Sequence, residues 1–360
     1  MKIMKKFLLI LFTIHFSLFT ALSQTVLNPY QPGVTSEGAV YFLPKTAISV
    51  TLLVEKTSYQ PGEFCRYADR FLRVRDVPSE PSVAYRIVSI SQQPVAVADT
   101  AKRYAVKFDP KTAASNVRLS DDGVLLAINT EPILPDAVHH FVAAPREHLP
   151  NPRSFMSEEI LSAGSTAKMA ELTAQDIYEI RESRNLLVRG QADNMPKDGE
   201  QLRLMLHQLD LQDRVLTSLY VGTVTKDTTE YTFTVVPDGE IQRDVLFRFS
   251  QKLGLVPADD LAGVPYYIMV QDLKTVPPAE PLDPKKKAKQ VQGIYVNIPG
   301  KMRVSVADAR QTLITNDFPA AQFGHVELLS GALFNKRYTT RLTLHPVSGA
   351  VERLDAELPQ

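Results

Sequence analysis

Residues 46–57 read TAISVTLLVEKT, and this stretch decides the fold class. Ile48, Val50, Leu52 and Val54 alternate with Ser49, Thr51 and Glu55, the period of a half-buried strand. AYRIVSIS (84–91) and RYAVKF (103–108) carry the same alternation. VRLSDDGVLLAIN (117–129) holds Asp122-Gly123 between two apolar runs, a hairpin signal because glycine supplies the positive φ such turns need. Pro61-Gly62 opens one short helix, where Phe64, Tyr67, Ala68, Phe71 and Leu72 recur at helical spacing. Residues 131–155, rich in proline, read as an irregular connection.

The middle of the chain changes period. Ser165 and Thr166 cap a helix with Met169, Leu172, Ile177, Ile180 and Leu187 along one side. DNMPKDG (193–199) breaks it, and a second helix carries Leu202, Met205, Leu206, Leu209, Leu216 and Leu219. Two helices of similar length joined by a short turn pack antiparallel, since each has a stripe to bury. Leu204, Leu211 and Val215 widen the second stripe into an arc that reaches a neighbouring domain or a partner. Strand patterns then return in EYTFTVVP, DVLFRFS, PYYIMVQD, GIYVNIP, MRVSVAD, GHVELLS and TTRLTLHP. Pro346 to Gly349 turn a closing hairpin. GAVYFLPKTAISV (38–50) and GIYVNIPGKMRVSV (293–306) share a loose pattern with shifted spacing, too little to define a repeat.

The expected architecture is α+β and mostly β: antiparallel, strand-rich, sandwich-like domains with an αα-hairpin inserted between them. The expected divisions are a signal peptide (1–23), an N-terminal β-rich domain (24–155), a helical hairpin (156–222), a β-rich segment (223–275), a linker or long loop (276–290) and a C-terminal β domain (291–360).

The signal peptide rests on MKIMKKFLLILFTIHFSLFTALS. Lys2, Lys5 and Lys6 precede an apolar core from Phe7 to Phe19, and Ala21 and Ser23 stand at the small-residue positions before Gln24. The apolar run is shorter than the roughly 20 residues a bilayer span requires. The expectation is an exported protein of the periplasm or the outer-membrane surroundings, soluble and not membrane-spanning after cleavage. With no cysteine near the cleavage site, it is not a lipoprotein. The whole chain balances 40 basic and 40 acidic side chains; cleavage removes three lysines and leaves 37 against 40. No basic excess supports nucleic-acid binding. A single cysteine, Cys65, excludes an internal disulfide and a CxxC metal site, and beside its apolar helix face it reads as core filler.

Three stretches, YFLPKTAISVTLLVEKTSYQPGEFCRYADRFL, IYEIRESRNLLVRGQADNMPKDGEQLRLMLHQLD and FPAAQFGHVELLSGALFNKRYTTRLTLHPVSGAV, resemble the family of exported Bacteroides-group proteins catalogued as domain of unknown function 4831. The resemblance covers most of the chain after the signal segment. It implies an envelope protein of a Gram-negative lineage and brings no established activity, so it assigns no site residue.

The candidate chemistry does not assemble into a site. Ser165-Thr166-Ala167-Lys168 fits the S-x-x-K pattern of penicillin-recognising enzymes, but the partner K-T-G and S-D-N motifs are missing, and helix capping accounts for Ser165. His139, His140, Glu147 and His148 cluster in the proline-bounded connection without the spacing that converges on zinc. Asp121-Asp122 and Asp259-Asp260 read as turn residues rather than a glycosidase pair. Lys285, Lys286, Lys287 and Lys289 form the one basic run, read as a solvated face of the linker. No catalytic, cofactor-binding or metal-ligating residue is therefore assigned, and no cofactor is expected.

Three functions remain in view. The leading one is a non-enzymatic envelope protein acting through protein–protein interaction, with another envelope protein as partner. The others are a glycan-binding module, for which stacking would fall on 13 tyrosines in the absence of tryptophan, and a hydrolase whose site is assembled from distant residues. Asp99-Thr100-Ala101 and Asp227-Thr228-Thr229 fit an O-glycosylation acceptor pattern, and both are placed between strand-like runs. Intact-mass spectrometry of protein from its native host is expected to show a chain beginning at Gln24; a mass equal to that bare polypeptide excludes sugar at either threonine.

Overall fold

The computed structural model describes residues 33–35, 38–107, 116–135, 140–145, 148–196, 198–277, 293–334 and 339–357. Residues 1–23, read from the sequence as a signal segment, and nearly all of the 276–290 stretch lie outside these residues. The stretch quoted first lies inside β2 (Gly38–Gln60), which pairs antiparallel with β3 (Ser82–Lys107) along its whole length. Ile48, Val50, Leu52 and Val54 are buried and point into the core, as their spacing requires. β1 (Gly33–Thr35) covers the other edge of β2 at residues 38–40, and β6 (Thr223–Val235) covers it from Ile48 onward.

Before β6, the chain forms α1 (Ala68–Leu72), the short hairpin of β4 (Val117–Leu119) and β5 (Leu125–Ile128), α2 (Glu158–Leu161), and the two long helices α3 (Thr166–Arg189) and α4 (Gly199–Val221). A second sheet follows the order β11-β10-β9-β7-β8, from β7 (Ile241–Ser250), β8 (Gly254–Val256), β9 (Val264–Asp272), β10 (Gly293–Ala307) and β11 (Thr312–Ser330). The third sheet joins β4 and β5 to β12 (Thr339–Leu344) and β13 (Val351–Glu357), in the order β13-β12-β5-β4. The fold is a mostly-β α+β fold with three antiparallel sheets. Strands from early and late parts of the sequence share the third sheet, Leu342 lying opposite Ile128. Among the described residues, no helix is long and apolar enough to cross a membrane.

GIYVNIP and MRVSVAD, separate strand patterns in the sequence, are one continuous strand. Ile298 pairs with His325 and Gly300 with Ala320, so Pro299 falls in a bulge where no ladder hydrogen bond is asked of it. Opposite it, residues 321–324 of β11 loop out. A side chain at Gly324 would collide with the Ile298 carbonyl, so glycine permits that crossing. β2 repeats the device: between Phe42 and Leu43 the register jumps from Arg103 to Asp99, leaving three residues of β3 bulged beside Pro44. The loose pattern shared by 38–50 and 293–306 thus marks two long strands, each bent near a proline.

Turn and cap chemistry sit where their residue types require. Gly123 (φ 77°) turns β4 into β5, and Gly349 (φ 68°) turns β12 into β13. The Ser165 hydroxyl accepts from Lys168 N–H at 3.2 Å, and α3 stops at Gly190 in the left-handed region. Between the helices, Arg181 binds both carboxylate oxygens of Asp213 at 3.0 and 3.2 Å, and Arg184 reaches Asp210. Such half-exposed pairs contribute up to about 1 kcal/mol each. Burying one large apolar side chain contributes about 1.5–3 kcal/mol. The apolar base, where Ile177, Leu216 and Tyr220 pack on Phe64, Ala68 and Ile160, therefore holds the hairpin in place. Gly62 lets the chain pass against the Leu219 carbonyl, which accepts Phe64 N–H at 2.7 Å.

Where the sheets meet, a buried polar cluster replaces apolar packing. Fully buried Asn297 of β10 donates through Nδ2 to the carbonyls of Pro44 (3.0 Å) and Ser348 (2.9 Å). Its own N–H donates to Gly349 O at 3.1 Å. Asn297→Ala strands two buried carbonyls and is expected to cost about 2–4 kcal/mol, read as a lowered urea midpoint with an unchanged m-value.

Candidate functional site

The residues singled out in the sequence take up structural duties. Ser165 caps its helix, and Lys168 turns to Glu171 (3.4 Å), so the S-x-x-K pattern does not bring the lysine to the serine. Asp121 and Asp122 are exposed in the β4–β5 turn, and Asp260 closes its own turn by accepting Ala262 N–H at 2.8 Å. Cys65 lies partly buried in a 3-10 turn leading into α1. Ser348 Oγ and His345 Nδ1 are 3.2 Å apart, an arrangement of nucleophile and base, but Ser348 is buried in the β12–β13 turn, where its Oγ accepts the Ala350 N–H at 3.4 Å. Among the described residues, no three histidine, cysteine, aspartate or glutamate side chains come together as a metal group. The basic run at 285–289 lies outside the described residues.

The two threonine patterns differ in setting. Thr100 is exposed on the β3 bulge, beside the buried Asp99, whose carboxylate lies 4.0 Å from Lys45 Nζ and 3.8 Å from Lys102 Nζ. Burial holds the Lys102 amine below its ordinary range, against the pull of Asp99. Thr228 does not lie between strands: it sits within β6, opposite Glu55 of β2. Period-two alternation is weak in β6, so the pattern understated where that strand begins.

Of the histidine cluster, His139 and Glu147 lie outside the described residues and His148 is exposed. His140 Nδ1 lies 2.9 Å from Glu230 Oε1, and Phe141 N–H donates to Glu230 Oε2 at 2.7 Å. One carboxylate of β6 thereby anchors the proline-rich connection. The His140 contact first, then the Phe141 N–H, hold the Glu230 carboxyl below its ordinary range.

The feature best suited to binding is on the hairpin. Near its free end a groove of about 430 Å³ opens between α3 and α4, floored by Leu186, Leu187, Met205 and Leu209. Ser183, Asn194, Gln208 and Gln212 give it a rim of hydroxyl and amide groups, to which Asp193 adds one carboxylate. Leu204 is 65% exposed and Val188 60%, so apolar surface continues around the groove. The arc read on α4 divides along its length: Val215 is fully buried at the base, whereas Leu204 reaches solvent at the tip. Met205, counted in the buried stripe, is more than a third exposed.

Residues 37–352, nearly all of the described chain, match the family described as Domain of unknown function (DUF4831). The chain belongs to this family. The matched residues include the helical hairpin and strands of all three sheets, leaving out β1 and most of β13, so the groove and Asn297 both lie within the match. No curated protein and no solved structure matches the chain.

A carboxylate with a depressed folded pKa stabilises above its ordinary value, and that contribution is lost as pH falls through the lowered one. The Glu230 anchor is therefore expected to hold at neutral pH and release in acid, with a smaller protection factor for the Phe141 amide relative to its intrinsic exchange rate at each pH. Glu230→Gln is expected to remove the acid-dependent step; a Phe141 protection factor that stays unchanged across pH in the parent protein refutes the anchoring role.

Proposed function

We propose that this chain is an exported, non-enzymatic envelope protein that holds another envelope protein through the distal groove of its helical hairpin. The observation that carries the reading is the groove: leucine and methionine on its floor, amides, a hydroxyl and the single carboxylate of Asp193 on its rim, and exposed apolar residues beyond it. An apolar trough between two antiparallel helices accepts the apolar face of a third helix, with anchors at i, i+3 and i+7. Methionine suits such a surface because its unbranched, polarisable side chain adapts to the partner. The fitting occupant is an amphipathic helix whose flanks carry uncharged polar groups for the amides and one basic residue for Asp193.

Export rests on residues 1–23, with their lysine front, apolar core and small residues before Gln24. Periplasmic or outer-membrane-associated residence follows from that segment, and the lone cysteine at position 65 argues against a lipid anchor. The non-enzymatic reading is supported by the duties already taken by Ser165, Lys168, Ser348 and His345.

A photo-crosslinking residue at position 204 is expected, in intact cells, to capture one reproducible partner that itself carries a signal segment. The crosslink should map to an amphipathic helix and disappear with Met205→Asp, while circular dichroism stays unchanged. The same crosslinker at Thr315, on the outer face of the second sheet, serves as the control. Recovery of no partner at 204, or of the same proteins from 315, overturns the proposal.

A further inference from the structure

The outer face of the third sheet carries a second feature, independent of the hairpin. Leu342 and Leu344 of β12 point into the core, so alternation sends Arg341 and Thr343 outward. Register sets Asp355 opposite Arg341 and Arg353 opposite Thr343, so these four side chains share one face. The chain leaving β5 passes over them with Thr130, Glu131 and Ile133, and a cavity of about 230 Å³ remains between the two layers.

The floor of this cavity is unusual. Thr343 is 4% exposed, and its Oγ1 has no hydrogen-bond partner among the described residues. A buried hydroxyl without a partner costs about 1–3 kcal/mol, so such groups are normally satisfied by something that occupies the space in front of them. Beside it stand two guanidiniums, each already near a carboxylate: Arg341 reaches Glu357 at 3.1 Å and Arg353 reaches Asp355 at 2.5 Å. A guanidinium has five donors and one carboxylate takes at most two of them, so donors remain on both arginines. Glu131 on the opposite wall is held by Arg118 at 2.5 Å and keeps free acceptor positions of its own.

The lining thus offers surplus donors on the sheet floor, acceptors from Asp355 beside them and from Glu131 on the opposite wall, no net charge, and one apolar wall in Ile133. A simple anion would meet Glu131 and Asp355 as well as the arginines. A molecule carrying an anion and a cation a few ångströms apart would satisfy both sets. We propose that this cavity binds a small amino-carboxylate zwitterion of free amino-acid type. Its carboxylate sits on the Thr343 hydroxyl between Arg341 and Arg353, its ammonium faces Glu131 and Asp355, and a short apolar side chain lies against Ile133. The cavity is below the usual size of a drug-like site, which limits the ligand to a few non-hydrogen atoms.

Isothermal titration calorimetry of the full exported chain with L-alanine tests this, with acetate, methylammonium and glucose titrated in parallel. L-Alanine is expected to bind and each half-molecule to bind more weakly. Thr343→Val removes only an unpartnered hydroxyl, so it is expected to melt at or above the parent temperature while binding L-alanine about tenfold more weakly. Arg353→Gln, at an exposed position, is expected to weaken binding to a similar extent. Absence of heat with L-alanine, equal binding of acetate or of glucose, or variants that bind as the parent does would each overturn the proposal.

Discussion

Among the described residues, no strand pairs along the edge of β2 between Phe42 and Thr46 beyond a single bridge from Phe42 to Val124, and the sheets meet around that gap. β1 ends its pairing at Val40 and β6 begins at Ile48, yet the intervening backbone is buried and its polar groups must be met. Phe42 N–H finds Gly123 O at 2.8 Å. Pro44, the next residue facing that edge, has no N–H to satisfy, and its carbonyl takes Asn297. At Thr46 the Gln322 side chain behaves as a peptide group: Oε1 accepts from Thr46 N at 3.1 Å, and Nε2 donates to Thr46 O at 2.9 Å. Nε2 also reaches Pro237 O at 3.0 Å, so the segment after β6 is drawn to the same point. Two amide side chains from the second sheet do the work of a strand, and in doing so they fix how the sheets are offset.

The four-residue bulge of β11 has its reason here. It lifts Ala321 and Gln322 out of the ladder and presents them to Thr46, whose hydroxyl also accepts Ala321 N–H at 3.4 Å. A regular strand would have turned Gln322 toward one face of its own sheet. The bends near Pro44 and Pro299 bring the two long hairpins close enough for this exchange, with Tyr41 Oη bonded to the backbone of Tyr295 and Tyr104 stacked on Tyr295 at 4.2 Å.

The sequence is most readable where one face of an element meets water. Residues 48–54 alternate because only one side is buried, and Ser165, Gly190, Asp122-Gly123 and Pro346–Gly349 mark ends and turns through local chemistry alone. From Ala39 to Ile48 the strand is buried on both sides, alternation fades, and nothing in the local pattern marks Thr46 or Pro44 as the meeting point. Pro299 reads as a break because the bulge that accommodates it depends on β11. The groove was half legible: the wide arc on α4 showed surplus apolar surface, but its division into a buried base and an open tip depends on where α1 and α2 pack. The cavity over Thr343 had no local signal, since it needs the pairing of β12 with β13 and the return of residues 130–133.

The pairing of β5 with β12 also orders events in time. Asn129 Nδ2 bonds Thr340 O across 211 residues of chain, and Leu342 closes over Ile128. During synthesis β4 and β5 emerge early, with Leu125, Ala127 and Ile128 ready for a neighbour that does not yet exist. Until residues 339–357 arrive, a four-stranded sheet is only a two-stranded ribbon, a unit with little stability of its own in water. The helical hairpin, built from contacts close in sequence, can form well before then. The β4–β5 ribbon therefore keeps an open, sticky edge until β12 and β13 cover it.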